Sequence, residues 1–211
     1  MICVSLGKIP FEKALEISSK EELVEIRADL MDLTKDQLHD ILETKSKKVF
    51  TFRSAHFSQS RREEYFRIVL HHNIEFIDLD YAEDKELLEV LSNAITFADT
   101  QLILSSHNYE RTPSVKELND LMMNLESKGP DIIKIACRVI YDEDIVNLLS
   151  LYRKPGKKII LGMGQKGIIT RVAALYMGAE FTYAFPEGEE KTAPGQLTRK
   201  DLEDIMEIMK P

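Results

Sequence analysis

One lysine lies in the middle of an apolar segment, and its position suggests chemistry at a carbonyl group. Lys134 follows Ile132 and Ile133 and precedes Ile135 and Ala136. Because side chains alternate between the two faces of a strand, Lys134 would point away from Ile133 and Ile135. If both faces of the strand are covered, burial favours the neutral form of an amine, which is a nucleophile for ketones. A lysine on an edge strand that extends its amine to solvent is the alternative.

Polar side chains also occur at the carboxyl ends of other apolar segments. They are Glu25, Arg27, Arg53, Asp78, Asp80 and His107, and the apolar Met163 closes the seventh segment. If the strands are parallel, these ends meet at one end of a barrel, where active sites lie. A single charged pair there could be structural, but polar groups from six strands at one end favour a catalytic site around Lys134. His107 is the candidate general acid/base because histidine titrates near neutral pH.

The elements that would position these residues alternate along the chain. Apolar segments rich in β-branched residues predict strands over residues 2–6, 23–27, 48–52, 75–80, 101–105, 131–136, 158–163 and 180–184. Between them lie segments of helical periodicity, with predicted capping boxes at Thr34, Ser60 and Ser114 and a helix stop at Gly178. Eight strand–helix units predict an α/β fold, a compact single-domain (β/α)8 TIM barrel over residues 1–211. A doubly wound open sheet is the alternative fold.

Composition limits the classes of function. The chain has 211 residues, of which 44% are hydrophobic, and a formal net charge of -8, which disfavours a nucleic-acid-binding surface. No apolar run approaches the ~18 residues of a membrane span, and no signal-peptide pattern is present, so we expect a cytoplasmic protein without membrane contact. Cys3 and Cys137 predict buried, reduced thiols. Metal-ligand spacing is absent, and we predict neither a metal nor a cofactor.

Two glycine-containing segments follow the seventh and eighth predicted strands. Residues 162–167 match the dinucleotide pattern G-x-G-x-x-G, but too little chain follows for a nucleotide-binding half-domain. We expect these glycines to let a loop cross the mouth of the barrel, with Arg171 behind it. The polar segment 185–196 predicts a lid with Gly188 and Gly195 as hinges, and a passive surface connection is the alternative.

Several short motifs together resemble type I 3-dehydroquinate dehydratases. They are Glu25-x-Arg27-x-Asp29, Thr51-Phe52-Arg53-Ser54, Ser105-Ser106-His107-Asn108-Tyr109-x-x-Thr112-Pro113, Asp131-Ile132-Ile133-Lys134-Ile135-Ala136, Met163-Gly164-x-x-Gly167-x-x-Thr170-Arg171 and Ala193-Pro194-Gly195-Gln196. They run in the family's order from residue 25 to residue 196, and the combination is highly specific. The resemblance implies dehydration of 3-dehydroquinate to 3-dehydroshikimate in the shikimate route to aromatic compounds. It also implies a homodimer.

The same resemblance implies a role for each site residue. Lys134 resembles the lysine that forms a Schiff base, and His107 resembles the acid/base that helps to form and hydrolyse the imine and moves the substrate proton. Arg171 and Gln196 resemble the contacts to the carboxylate and the lid. The full set of implied substrate-binding residues is Glu25, Arg27, Arg53, Met163, Arg171, Tyr183, Thr192 and Gln196.

The chain departs from the family pattern at three positions. Thr192 stands where the family has a serine, and Tyr183 stands where a phenylalanine is common. Beyond the third strand, bacterial members commonly carry a glutamate that partners the histidine, and Phe57 occupies that position here. Asp80, which points inward on the fourth strand, is the candidate replacement as the partner of His107.

Two other classes of function stay open at this point. A Schiff-base aldolase on the same barrel would use Lys134 to cleave a carbon–carbon bond. Many such enzymes bind a phosphate near the last two strands, and Arg171 in place of a glycine-rich phosphate site disfavours this class. A non-catalytic barrel scaffold would have no use for Lys134 and His107, so their presence argues against it.

Overall fold

The computed structural model of the protein describes residues 1–53 and 57–209, and its centre is a parallel sheet that curls into a barrel. The strands are β1 (Ile2–Leu6), β2 (Leu23–Arg27), β3 (Lys47–Thr51), β4 (Phe76–Asp80), β5 (Gln101–Asn108), β6 (Ile132–Arg138), β7 (Lys158–Met163), β8 (Thr182–Phe185) and β9 (Leu197–Thr198). Their order is β7-β6-β5-β4-β3-β2-β1-β8-β9. The consecutive order from β1 to β7 confirms the barrel fold, because a doubly wound sheet reverses direction at a switch point.

Helices follow the strands and cover the outside of the sheet. They are α1 (Phe11–Ser18), α2 (Ala28–Met31), α3 (Lys35–Leu42), α4 (Gln59–His71), α5 (Lys85–Phe97), α6 (Val115–Glu126), α7 (Asp142–Ser150), α8 (Ile168–Tyr176) and α9 (Arg199–Ile208). Capping boxes at Thr34 and Ser114 are confirmed. The predicted box at Ser60 is wrong, because the Ser58 hydroxyl accepts from the Arg61 N–H and α4 begins two residues earlier. Gly178 follows α8 with φ +92°, which confirms the predicted stop.

The strand boundaries differ from the predicted ones mainly at β5. This strand extends to Asn108 because its last residues pair with β6, and His107 lies opposite Ala136. His107 therefore lies on a strand and not in the loop after it. Periodicity does not predict β9, whose two residues pair with Ala184 and Phe185. A strand of two residues is too short to show an alternating pattern.

Strand side chains divide between an outer and an inner core. Val24, Ile26 and Ile135 belong to the outer core against the helices. The inner core is apolar and comprises Cys3, Leu23, Val49, Phe76, Ile103, Ile132, Ala136, Ile159, Leu161, Met163, Phe181 and Tyr183. The alternation predicted for Lys134 is confirmed, and both cysteines are buried and free, as predicted. None of the helices in the described part of the chain has the length and hydropathy of a membrane span.

The strands β7 and β8 do not form a ladder within the described residues. Near their amino ends a single backbone bond joins Glu180 N to Lys158 O at 3.3 Å. At the opposite end, Gly164 N donates to Pro194 O at 3.3 Å, and β9 continues along the edge of β8. The last loop therefore completes the ring between these two strands at the carboxyl end of the barrel.

Candidate active site

Lys134 points into the barrel from β6 and is 6% exposed. Its Nζ donates to Asp78 Oδ2 at 2.8 Å and to Tyr183 Oη at 3.1 Å. The edge-strand alternative is wrong, because β6 pairs with a strand on each side. The amine is buried, as predicted, and it also has a carboxylate partner, which alternation along the strands does not predict.

Asp78 is a fully buried carboxylate between two cationic side chains. Its Oδ1 accepts from Arg53 Nη2 at 2.8 Å and from Ser105 Oγ at 2.6 Å, while Oδ2 accepts from Lys134. Burial acts to raise the pKa of Asp78, but Arg53 and then Lys134 outweigh it and hold this pKa well below its usual range. Asp78 is therefore ionised and serves as a fixed counter-ion.

His107 is oriented by a second carboxylate. Its Nδ1 lies 2.8 Å from Asp80 Oδ2, and Asp80 Oδ1 accepts from the N–H groups of Ala82 and Glu83. Burial acts to raise the pKa of Asp80, but the hydrogen bond with His107 outweighs it and lowers this pKa. An ionised Asp80 requires the proton on Nδ1, which leaves Nε2 with a lone pair. Burial lowers the pKa of His107, so the ring is a neutral base at neutral pH.

Phe57, at the position where the family commonly has a glutamate, is engaged elsewhere. Its ring packs against Phe52 with centroids 4.8 Å apart, and the Arg61 guanidinium lies 4.8 Å above it. Ser54, the last residue of the motif Thr51-Phe52-Arg53-Ser54, lies outside the described residues, together with residues 55 and 56. The only carboxylate hydrogen-bonded to His107 in the described part of the chain is that of Asp80.

A buried ion pair between Arg62 and Asp84 supports the ends of β3 and β4. Arg62 Nε donates to Phe52 O at 2.7 Å, and its Nη2 donates to Asp84 Oδ1. Asp84 Oδ2 accepts from the Asp80 N–H at 2.7 Å. Both members of the pair are at most 3% exposed. The pair fixes the backbone next to Arg53 and at Asp80, and the sequence analysis did not identify it.

The polar residues of β2 are also held in place. Glu25 accepts from Ser5 Oγ at 2.6 Å and from Thr51 Oγ1 at 2.9 Å. Arg27 forms a two-point pair with Asp29, at 2.9 Å for Nε and 2.6 Å for Nη2. Both side chains line the cavity and have preset orientations before any ligand arrives.

Arg171 differs from the other arginines of the site because it has no carboxylate partner among the described residues. It is 2% exposed, its Nη2 donates to Pro194 O at 3.3 Å, and its Nε has no hydrogen-bond partner within residues 1–53 and 57–209. Arg27 and Arg53, by contrast, each bind an aspartate. Burial lowers the pKa of Arg171 to about 10. A buried cation without a counter-ion is suited to bind an anionic group.

One cavity brings together the residues that the sequence analysis selected. Those that line it are Glu25, Arg27, Arg53, His107, Lys134, Met163, Arg171, Tyr183, Thr192 and Gln196. Asp80 lies behind His107. The sequence analysis gave no role to Tyr109, whose ring stacks on that of His107 at 5.9 Å. The described residues contain no cluster of three His, Cys, Asp or Glu side chains that could hold a metal ion.

The second half of the predicted lid is anchored over this cavity. Gln196 Oε1 accepts from Thr192 N and Oγ1 at 2.9 Å and from Ala193 N at 3.0 Å. Gly195 has φ +79°, and a Cβ there would lie 2.4 Å from Gly164 O. Gly188, in the first half, has φ +77° and nothing within 4 Å of such a Cβ. Of the two hinge candidates, Gly195 is therefore packed against the Gly164 backbone, whereas the space around Gly188 is open.

The glycine pattern at 162–167 reflects close packing of the backbone. A Cβ on Gly167 would lie 2.4 Å from the Gly162 carbonyl carbon, and Gly164 has φ +85°. Gly164 also contacts the anchored half of the lid through Pro194 and Gly195. The glycines thus allow the loop to cross the barrel mouth in front of Arg171, which is the arrangement expected from the sequence.

Comparisons with known proteins identify the family of the chain. The profile of the family described as Type I 3-dehydroquinase matches residues 2–211. The chain is 33% identical to a 3-dehydroquinate dehydratase of Methanococcus vannielii, over 99% of this chain and 100% of that one. The 3-dehydroquinate dehydratase of Aquifex aeolicus superposes with a TM-score of 0.84 at 27% identity, covering 99% and 98% of the two chains. That of Geobacillus kaustophilus has the same fold, with a TM-score of 0.85 at 23% identity over 99% and 90%. The chain therefore belongs to the type I 3-dehydroquinase family.

Proposed function

We propose that this chain dehydrates 3-dehydroquinate to 3-dehydroshikimate, a step of the shikimate route, through an imine on Lys134. The observation that carries the proposal is the buried Lys134 amine, which faces one cavity together with the neutral base His107 and with Arg171, a cation without a carboxylate partner among the described residues. The substrate supplies a matching group for each of them. Its ketone reacts with the amine, its activated C–H meets the base, and its carboxylate meets the guanidinium.

The first half of the reaction converts the ketone into a better electron sink. The neutral amine of Lys134 adds to the carbonyl carbon, and loss of water with uptake of one proton gives an iminium. The positive nitrogen makes the adjacent C–H acidic, and His107 Nε2 takes that proton. The electron pair of the C–H bond moves into an enamine, and Asp78 stays close to the nitrogen as its counter-ion.

The second half removes the β-hydroxyl and releases the product. The enamine electron pair expels the hydroxyl group, and the proton held by His107 leaves with it as water. The conjugated iminium is then hydrolysed, which frees 3-dehydroshikimate and restores the amine. Asp80 keeps the same imidazole nitrogen directed at the substrate in both proton transfers because it binds Nδ1.

Purified protein and 3-dehydroquinate test this proposal directly. We expect growth of the ultraviolet absorbance of the conjugated enone, and we expect borohydride added during turnover to increase the intact mass by one reduced adduct. An adduct with cleavage of a carbon–carbon bond and no enone would favour the aldolase alternative. Neither enone nor adduct would favour the non-catalytic scaffold and contradict the proposal.

Arg171→Met is expected to raise the KM for 3-dehydroquinate by roughly 10- to 100-fold with a smaller change in kcat. The reason is the loss of a charged hydrogen bond to the substrate carboxylate, which contributes about 1.5–3 kcal/mol. Steady-state kinetics measure the change, with the exposed Arg153→Met as the matched control. A substrate analogue with a carboxamide in place of the carboxylate should lose affinity for the parent protein but not for Arg171→Met. An equal loss in both proteins would contradict the assignment.

Gly195→Ala is expected to lower kcat/KM by roughly 10²-fold, because misplacement of a site wall by about 1 Å has effects of that size. The new methyl group would collide with Gly164 O and push the anchored half of the lid out of place. Gly188→Ala is the matched control, since it has the same positive φ without a collision. Steady-state kinetics and thermal unfolding of both variants give the comparison, and equal losses of kcat/KM would refute the steric argument.

We also propose that residues 1–211 act as one catalytic domain, in the cytoplasm and as a homodimer. Two buried free thiols support a reducing compartment. The family profile spans residues 2–211 without division, which supports a single domain. The dimer rests on family resemblance, and sedimentation of the purified protein tests it.

A further inference from the structure

Tyr183 contributes a hydroxyl group at the nitrogen of Lys134. Its Oη lies 3.1 Å from Nζ, and the centre of its ring lies 4.2 Å from the same atom. The side chain is 3% exposed. The hydroxyl has no second hydrogen-bond partner among residues 1–53 and 57–209, so the oxygen accepts from the amine while its own proton has no acceptor.

The position of Tyr183 separates it from the other proton-transfer group. Nζ lies between Tyr183 on β8 and Asp78 on β4, whereas His107 lies on β5 at the register of Ala136, two residues nearer the carboxyl end than Lys134. Burial, followed by the nearby carboxylate of Glu25, raises the pKa of Tyr183 well above its usual value. The phenol is therefore neutral and can accept one proton only as it gives up another.

Formation of the imine includes a step with this requirement. When the amine adds to the ketone, the nitrogen carries an extra proton and the former carbonyl oxygen carries a negative charge. Direct transfer between these two atoms passes through a strained four-membered ring. A hydroxyl group that contacts both atoms widens the ring to six members, because it takes the nitrogen's proton and gives its own to the oxygen.

We propose that Tyr183 is a catalytic residue of the imine steps and relays this proton from the Lys134 nitrogen to the substrate oxygen. One N–H bond and one O–H bond break, one new O–H bond forms on the phenol and one on the carbinolamine, and the phenol ends as it began. The same relay runs in reverse during hydrolysis of the product imine. This inference rests on the proposed dehydratase function and assigns His107 mainly to the C–H and β-hydroxyl proton transfers.

Washout of ¹⁸O from the carbonyl group of 3-dehydroshikimate isolates the imine steps, because it requires formation and hydrolysis of the product imine without dehydration. We expect Tyr183→Phe, which keeps the ring, to slow this washout by roughly 10²-fold or more, the usual contribution of a positioned acid/base. The matched control is Tyr65→Phe, which removes a buried phenol that donates to Leu33 O and is not among the residues that line the cavity. The control should retain the parent rate.

Unchanged washout in Tyr183→Phe would overturn the relay, even if the parent protein turns over 3-dehydroquinate and is trapped by borohydride. Absence of turnover and of trapping in the parent would instead refute the proposed function itself. If Tyr183→Phe does not fold, a proton inventory of washout by the parent decides the question. If two protons move in one step, the washout rate depends on the deuterium fraction of the solvent along a curve. A linear dependence of the washout rate contradicts the relay.

Discussion

Replacing Lys134 by methionine is expected to lower kcat for 3-dehydroquinate by roughly 10⁴-fold or more, because loss of a covalent nucleophile has effects of this order. Methionine keeps much of the buried volume but cannot form an imine. Asp78 retains Arg53 as a partner, so the carboxylate is not left alone. The substrate should still bind, because Arg171 and the polar residues of β2 are unchanged. The enone assay measures turnover, and calorimetry measures binding.

Lys158→Met is the matched control for Lys134→Met. Lys158 is also a buried lysine of a barrel strand, at 3% exposure, but its Nζ binds the backbone carbonyls of Lys154, Pro155 and Gly156. We expect this control to reduce the free energy of unfolding without reducing kcat. Near-normal turnover by Lys134→Met, or a borohydride adduct on that variant, would refute the covalent route.

Replacing His107 by alanine is expected to reduce kcat by about 10²- to 10⁴-fold, the usual contribution of a positioned acid/base. We expect the variant to slow mainly the removal of the substrate C–H proton. The kinetic isotope effect of deuterium at that carbon should therefore increase. The exposed His71→Ala provides the control for removal of an imidazole. An isotope effect that disappears in His107→Ala would show that the variant slows a different step, and would contradict this assignment.

The His107–Asp80 pair gives this reaction a defined pH dependence. His107 must be neutral to act as a base, so activity is present above its pKa and is lost as the pH falls through it. Burial places that pKa below the ordinary histidine value, while Asp80 acts to raise it. Asp80→Asn should therefore move the acid limb of kcat/KM to lower pH and, by favouring the wrong tautomer, also lower the plateau by up to about 10⁴-fold. A shift of the limb to higher pH, or an unchanged profile, would contradict this assignment.

The features that sequence predicts best here are those that depend on alternation. The pattern fixes which face each residue occupies: Lys134 lies between two isoleucines, and Glu25 and Arg27 alternate with Val24 and Ile26. Parallel strands then bring those faces to one end of the barrel, so the predicted site residues line one cavity. The order of the motifs along the chain indicates the family, and the family resemblance implies the chemistry.

The sequence predicts less well which side chains inside the barrel bind each other, because these pairs depend on the register between strands. Alternation places Asp78 inward but does not indicate that it binds both Lys134 and Arg53. Arg62 in particular reads as a solvent-facing residue of a helix rich in charges, yet it is buried against Asp84. Asp84 lies past the end of a strand, where no periodicity applies, so only the fold reveals this pair.

The incomplete ladder between β7 and β8 has a consequence for how ligands enter and leave. Residues 192–196 form part of the barrel wall there, so movement of that stretch would also break the contacts of Gly164 and Arg171. Gly164 and Arg171 donate to the carbonyl group of Pro194 and not to residues 187–191, which are mostly exposed. Glu190 forms a surface ion pair with Lys8 at 3.4 Å. Such a pair contributes only about 0–1 kcal/mol. We therefore expect ligands to enter and leave by displacement of residues 187–191, while residues 192–196 keep their contacts with Gly164 and Arg171.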